Sequence, residues 1–130
     1  MNKLINYFKV SFHILVLLLI IFSLYPGSIL GLVIYGDDRL QPKITEDFLK
    51  ISSDHFYTYA IVSFLGFISY LKDTKFKLVL IYLLFLSFVL ELLHLIIPGR
   101  YFQMSDLIGN VLGVLAIYMI ILIYKFWKNR

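Results

Sequence analysis

The sequence predicts an all-α membrane protein with four transmembrane helices in a single domain, residues 1–130, and three observations support this. Hydrophobic residues make up 61% of the chain and charged residues only 15%, and the mean hydropathy is +0.88. A water-soluble domain of this length cannot bury so much apolar surface, so lipid must solvate most of it. The apolar residues also fall into four long runs, each close to the ~20 residues that a helix needs to cross a bilayer.

The predicted spans are residues 10–25, 56–71, 78–97 and 107–124. The first ends at a Pro-Gly pair, which terminates helices. The second is short and contains small and hydroxylated residues, which in membranes usually face other helices rather than lipid. Those residues are Thr58, Ser63, Gly66 and Ser69.

One sizeable loop, residues 26–53, separates the first two spans. Its first part, SILGLVIYG, is apolar, and we expect it to lie along the membrane interface or to form a strand. Its second part, DDRLQPKITEDFLK, mixes both charge signs, and a short helix from Thr45 is predicted there. Lys3 and Lys9 precede the first apolar run as in a signal peptide, but no small-x-small cleavage motif follows Tyr25, which favours an uncleaved anchor.

The distribution of basic residues predicts the orientation in the plasma membrane. With the N-terminus in the cytoplasm, eight of the 12 lysines and arginines flank the spans on the cytoplasmic side and four lie outside. The positive-inside rule therefore favours two cytoplasmic termini and a non-cytoplasmic loop between the first two spans. The basic residues are dispersed and form no patch with interleaved aromatics, which excludes a nucleic-acid partner.

This orientation brings polar residues from three separate stretches to the outer face. Glu91 and His94 are three residues apart and share one face of the third span, while Asp106 and Asn110 are four apart and share one face of the fourth. A histidine opens the second span, and an arginine lies in the turn before the fourth. The predicted ligand-binding residues are Arg100, His55, His94, Glu91, Asp106 and Asn110.

Glu91 needs compensation, because it lies roughly 10 Å below the end of its helix, counted back from Pro98. A carboxylate at that depth costs on the order of 2–3 kcal/mol unless it is paired or faces a wet cavity. Two interpretations follow. Glu91 and Arg100 form a structural ion pair that fixes the turn, or both join Asp106 in one charged unit that frames an opening lined by the two histidines.

Several single residues have simpler structural explanations. Asp106 follows a serine at a helix start, so capping of the fourth span explains it when it is considered alone. His13 stands alone on the first span and is expected to be a packed or interfacial histidine. Tyr59 is expected to belong to an aromatic belt. Gly109 and Gly113 form a G-x-x-x-G motif that predicts close approach of a neighbouring helix.

These residues together resemble a known family, the VanZ-like membrane proteins. The closing signature of that family is matched by Glu91-x-x-His94, Pro98-Gly99-Arg100, Asp106, Asn110 and Gly113. Its H-F-x-x-Y and S-x-x-P motifs are similar to His55-Phe56 with Tyr59 and to Ser23–Pro26. There are two departures: His94 stands where the family usually has glutamine, and Ile51-Ser52 where it tends to have Asp-Lys.

The resemblance implies a small helical membrane protein, and the namesake of the family is associated with low-level resistance to a glycopeptide antibiotic. From the residues, we expect binding of an anionic cell-envelope component, either a lipid headgroup or a lipid-linked cell-wall precursor, with Arg100 as a bidentate donor. On this interpretation we expect no cofactor and no metal, and membrane lipids are the expected partners.

Two other functions remain open on the sequence. A metal-dependent or acid–base enzyme acting on a lipid-linked substrate would use the acidic and imidazole side chains as ligands. Against it, the chain contains no H-E-x-x-H, G-x-S-x-G or P-loop motif. In a structural or assembly partner, the polar cluster would only hold the spans together. The residues available to the enzyme are Asp54, His55, Glu91, His94 and Asp106.

Overall fold

The computed structural model describes residues 2–130, and within them the chain forms five helices and no β-strand. The all-helical prediction is confirmed. Three helices are long and apolar enough to cross a membrane, namely Lys3–Leu24, Phe76–Leu93 and Met104–Lys128. The helices are α1 (Asn2–Leu24), α2 (Ile29–Tyr35), α3 (Ser53–Ser69), α4 (Phe76–Leu93) and α5 (Met104–Lys128).

The shortest of the long helices, α3, is the centre of the bundle and contacts α1, α4 and α5. It has 17 residues and is therefore about 25 Å long. Its small residues Ser63, Gly66 and Ser69 are buried among the other helices, as predicted. The prediction is wrong for Thr58, which is exposed, because its side of α3 faces an open cavity rather than a helix.

The most extensive helix contact in the bundle joins α3 to α5, and the two helices are especially close at the glycines of the G-x-x-x-G motif. A Cβ atom added at Gly113 would lie 2.5 Å from the carbonyl oxygen of Phe56, and one added at Gly109 would lie 2.6 Å from that of Ser52. Real Cβ atoms do not approach oxygen so closely, so only glycine permits this spacing. The predicted close approach is confirmed.

The two ends of the bundle carry different residues. We call the end with residues 70–75 and the chain termini the α3–α4 end, and the end with residues 94–103 the α4–α5 end. At the α3–α4 end the rings of Phe67, Phe76 and Tyr118 pack together with centroids 5.3–5.8 Å apart. The ammonium of Lys125 lies 3.9 Å above the Phe76 ring, a cation–π contact that closes this end.

The apolar first part of the long loop forms a helix, α2, so the strand alternative is wrong, while the interfacial position stays a prediction. Ser28 caps it, because its hydroxyl accepts a hydrogen bond from the backbone N–H of Gly31 at 2.9 Å. Gly36 ends it in the left-handed conformation, with φ of 71°. This Ser-to-Gly pattern is the usual start and stop of a short helix.

The polar second part of the loop contains no helix from Thr45, and that prediction is wrong. Phe48 and Ile51 instead form an isolated antiparallel bridge. The Ser53 hydroxyl donates to the Thr45 carbonyl at 2.8 Å, and the Ser53 N–H donates to a carboxylate oxygen of Asp47 at 3.2 Å. These bonds tie the segment to the start of α3 and use groups that a local helix would need.

Every helix boundary differs from the prediction by one or more residues, and two of the differences have a local explanation. The first helix begins at Asn2 rather than near residue 10, because no proline or glycine interrupts the polar residues ahead of the apolar run. The third predicted span ends at Leu93 rather than Ile97. There the N–H of His94 bonds to the carbonyl of Glu91 at 3.2 Å, a tighter turn that ends the α-helical pattern.

Candidate functional site

The ends of four helices meet at the α4–α5 end of the bundle around one cavity of about 490 Å³. Because α1 and α4 finish there while α3 and α5 begin there, residues far apart in sequence become neighbours. All six predicted ligand-binding residues line it. Other lining residues are Leu15, Leu18, Leu19, Phe22, Ile61 and Val62 on its apolar side, and Ser23, Lys43, Asp47, Asp54 and Gln103 on its polar side.

The position of Arg100 follows from two turns that lie side by side. Gly99 has φ of 74° and Gly27 has φ of 96°, and both conformations favour glycine. A Cβ atom at Gly99 would lie 3.6 Å from the backbone nitrogen of Gly27. The guanidinium then reaches the end of α1, where Nε donates to the carbonyl of Tyr25 at 3.2 Å and Nη2 donates to that of Phe22 at 2.8 Å.

The predicted ion pair between Glu91 and Arg100 is wrong. Within residues 2–130 Arg100 has no carboxylate within ion-pair distance. The free carbonyls at the end of α1 carry partial negative charge and accept the guanidinium instead. Burial lowers the pKa of Arg100, and the carboxylates of Glu91 and Asp106 act in the opposite direction. The guanidinium nevertheless stays charged.

Glu91 is held by other groups. Its side chain is only 1% exposed, and Oε1 accepts a hydrogen bond from the backbone N–H of Gln103 at 2.9 Å. Oε2 lies 3.3 Å from Nδ1 of His94, yet that contact does not have hydrogen-bond geometry, so Oε2 is buried without a hydrogen-bond partner in the described chain. One oxygen of this carboxylate is fixed and the other is free.

His94 joins α4 to α1. It is 4% exposed, and its Nε2 lies 3.1 Å from both the hydroxyl and the carbonyl oxygen of Ser23. Its Nδ1 faces Glu91. The imidazole therefore connects the ends of α1 and α4. In the family that the sequence resembles, glutamine is usual at this position, and its uncharged amide would make this connection instead.

The second group of polar residues joins α3 to α5. Nδ1 of His55 lies 2.9 Å from Oδ1 of Asn110, and Nε2 lies 3.4 Å from Oδ2 of Asp106. The capping interpretation of Asp106 is wrong, because Gln103 is the N-cap residue of α5 and makes no side-chain cap bond. Asp106 lies in the first turn of α5, where the helix dipole still favours its charge.

One set of side chains in the cavity can hold a metal ion. His55, Glu91 and Asp106 each offer one ligand atom, and these atoms lie within 4.8 Å of one another. Chemically, the site can also grip an anion through Arg100 and move a proton through either histidine.

Some residues differ from their predicted positions or roles. Tyr59 is 2% exposed and lines the cavity, so the prediction of an aromatic belt is wrong for it. Asp54 fixes the loop by accepting a hydrogen bond from the N–H of Ile44 at 2.8 Å. His13 lies away from the cavity, 3.1 Å from the hydroxyl of Tyr70, in agreement with its structural explanation.

Sequence reasoning did not assign site roles to Ser23 and Gln103. Ser23 belongs to the S-x-x-P motif, and this motif could have identified it as a site residue that contacts His94. Gln103 contributes a backbone N–H to Glu91, and no side-chain pattern marks such a contribution. Backbone donors of this kind become visible only when the fold is known.

The comparisons with known proteins agree with the motifs. A search of curated proteins and of solved structures found no match. The family model described as VanZ/LLP1 matches residues 10–125, a range that contains α2 to α4 complete, most of α1 and α5, and every residue that surrounds the cavity. The chain belongs to the VanZ/LLP1 family.

Proposed function

We propose that the protein binds an anionic cell-envelope lipid, or a lipid-linked cell-wall precursor, in the cavity at the outer face of the plasma membrane. The observation that carries this proposal is the two-sided lining of the cavity. Polar groups gather where the helix ends meet, and the apolar side chains Leu15, Leu18 and Leu19 of α1 face Ile61 and Val62 of α3 further along the bundle. A headgroup fits the first region and an acyl or prenyl chain fits the second.

Arg100 is the proposed headgroup donor. Its hydrogen bonds to the carbonyls of Phe22 in α1 and of Tyr25 just after α1 use two of the five guanidinium N–H groups. Three N–H groups remain for a phosphate or carboxylate, and the carbonyl bonds hold the planar fork in place. A fixed guanidinium loses less side-chain entropy on binding than a mobile one.

The proposal includes a membrane topology of four spans with both termini in the cytoplasm. The eight-to-four distribution of basic residues supports the orientation. The central position of α3 supports its role as the fourth span, since a helix about 25 Å long can cross the membrane when longer helices surround it. The long loop and the cavity are then outside the cell.

Cysteine labelling tests this topology, because the chain has no native cysteine. Single cysteines would replace Arg39, Thr74 and Gln103, all exposed positions outside the helices. An impermeant thiol reagent on intact cells should label positions 39 and 103 but not 74. Labelling of position 74 alone would invert the proposed orientation.

Binding of a labelled polyprenyl phosphate to the detergent-extracted protein tests the function. Arg100→Ala should weaken binding at least about tenfold, because a charge-assisted bidentate contact is lost. Arg100→Lys should restore little of it if the planar fork is required. The matched control is Arg39→Ala, which removes an exposed arginine from the same loop-bearing face. Equal affinity of the parent and the Arg100→Ala variant would contradict the proposal.

A structural role for the cluster is the second candidate, favoured by one observation. Arg100 and His94 both bond to the last turn of α1, so both hold helices together whether or not a ligand binds. On this alternative, Arg100→Ala lowers thermostability while lipid binding by the folded fraction is unchanged. The link to glycopeptide resistance is tested in cells, where protection by the parent but not by Arg100→Ala would connect the cavity to a cell-wall precursor.

A further inference from the structure

We propose that His55, Glu91 and Asp106 form a binding site for a divalent transition-metal cation, Zn²⁺ or Mn²⁺, on the polar side of the cavity. This departs from the sequence-based expectation of no metal. The three ligand atoms come from α3, α4 and α5 and lie within 4.8 Å of one another. Ligands about 2.0–2.2 Å from a tetrahedral ion are roughly 3.4 Å apart. The pair formed by His55 Nε2 and Asp106 Oδ2 is already separated by 3.4 Å.

The free oxygen of Glu91 is the second, independent observation. Oε2 is buried and lacks a hydrogen-bond partner among residues 2–130, in a side chain that is 1% exposed. Leaving a buried carboxylate oxygen unsatisfied is costly. A cation supplies the missing interaction, and the Gln103 N–H on Oε1 keeps the carboxylate oriented meanwhile. Closing the coordination sphere requires a side-chain adjustment on the order of 1 Å.

The environment of His55 prepares it as a ligand. A carbonyl-type oxygen only accepts hydrogen bonds, so the 2.9 Å contact with Asn110 Oδ1 places the imidazole proton on Nδ1. The lone pair is then on Nε2, the nitrogen that faces Asp106. Metal-binding histidines commonly donate their other N–H to an oxygen in this manner, which fixes the ring and its tautomer. Asn110 itself is 2% exposed and held between helices.

The donor set determines which cations fit. One imidazole and two carboxylates suit Zn²⁺ and Mn²⁺ better than Ca²⁺, which prefers oxygen ligands alone. Three protein ligands leave at least one coordination position open towards the cavity. A phosphate oxygen of an anionic headgroup would occupy that position, a step that rests on the proposed function. Two carboxylates would otherwise repel the anion that this cavity is proposed to bind. A cation between them and the anion removes that repulsion.

Titration calorimetry with ZnCl₂ and MnCl₂ tests the site without any lipid. The protein is purified without a histidine tag and stripped with EDTA. We expect one ion per chain, and His55→Ala, Glu91→Gln and Asp106→Asn should each weaken binding at least about tenfold. His13→Ala and Asp73→Asn, both away from the cavity, are the controls and should bind like the parent. Binding that the three site variants leave unchanged, or the lack of stoichiometric binding, would overturn the proposal.

Folding and lipid binding are controlled separately. Asp106→Asn keeps the size of a side chain that is 14% exposed, so its metal-free thermostability should be close to that of the stripped parent, while its stabilisation by Zn²⁺ is lost. Polyprenyl-phosphate binding is then measured with and without EDTA. Metal binding without lipid binding supports the site and refutes the proposed function. Lipid binding by a chain that takes up no metal refutes the site alone.

Discussion

The α4–α5 end of the bundle buries charged side chains, whereas the α3–α4 end leaves them exposed to solvent. At the α4–α5 end, Glu91 and His94 are almost completely buried, 1% and 4% exposed, and are bonded to the ends of other helices. At the α3–α4 end, the ion pair of Lys9 and Asp73 is 3.2 Å long and its side chains remain 32% and 30% exposed. Aromatic rings fill the interior instead.

This difference shows what buried charge does in such a small bundle. Burying an ion is costly unless its partners are fixed, and the α3–α4 end is closed by rings and an exposed ion pair without that cost. The α4–α5 end buries charged groups despite this unfavourable free energy, and it does so beside a cavity where four helix ends meet. Glu91 and His94 are therefore buried where they line the cavity.

The largest predicted effect compares the two ends directly. Glu91→Ala should destabilise the protein by about 3–5 kcal/mol, because the Gln103 N–H loses its acceptor and a cavity opens where a buried side chain stood. Asp73→Ala, the matched change at the other end, should have a much smaller effect, because water replaces its contacts. Thermal unfolding in one detergent measures both. Equal losses would show that the two ends do not differ in how they stabilise the fold.

An intermediate effect is expected at the contact between α3 and α5. Gly113→Leu should cost about 3 kcal/mol, because its Cβ atom would lie 2.5 Å from a backbone oxygen of α3 and the helices must separate. Ile121→Leu, a volume-conserving change further along α5, should cost less than about 1.5 kcal/mol. If the two variants unfold at the same temperature, the close contact of α3 with α5 at Gly113 does not contribute to stability.

The smallest effect is expected for the exposed pair. The backbone N–H of Lys75 and the side chain of Lys9 lower the pKa of Asp73. A carboxyl whose pKa is lower in the folded state stabilises the fold above its unfolded pKa, and this contribution is lost as the pH falls through the folded pKa. Lys9→Ala should therefore slightly reduce stability at neutral pH, and added salt should remove the difference. A salt-independent loss would indicate a packing role for Lys9.

Much of the fold, and the gathering of the six predicted polar residues around one cavity, follow from the sequence. Apolar run length locates the long helices, and helical spacing places Glu91 with His94 and Asp106 with Asn110 on shared faces. The G-x-x-x-G motif identifies the close contact between α3 and α5. These features depend on local periodicity and on side-chain size, which the sequence states directly.

The pairing within the site does not follow from the sequence. Opposite charges suggested a Glu91–Arg100 pair, but the two glycine turns direct Arg100 to backbone carbonyls of α1. Nearly every residue has a backbone carbonyl and an N–H like that of Gln103. Residue types therefore cannot reveal which of these backbone groups are free to bond to a side chain. The course of the long loop was unpredictable for the same reason, since its Ser53 bonds join groups that only the tertiary fold brings together.

The two contacts of His94 determine which of its ring nitrogens carries the proton. A carbonyl accepts but never donates, so the 3.1 Å contact with the Ser23 carbonyl requires a proton on Nε2. In the neutral ring Nδ1 then carries a lone pair and faces Oε2 of Glu91 at 3.3 Å without hydrogen-bond geometry. His94 therefore donates its one N–H to α1 and none to the carboxylate. Replacing His94 by a residue that cannot donate should then weaken the attachment of α4 to α1 and leave the hydrogen bond from the Gln103 N–H to Glu91 intact.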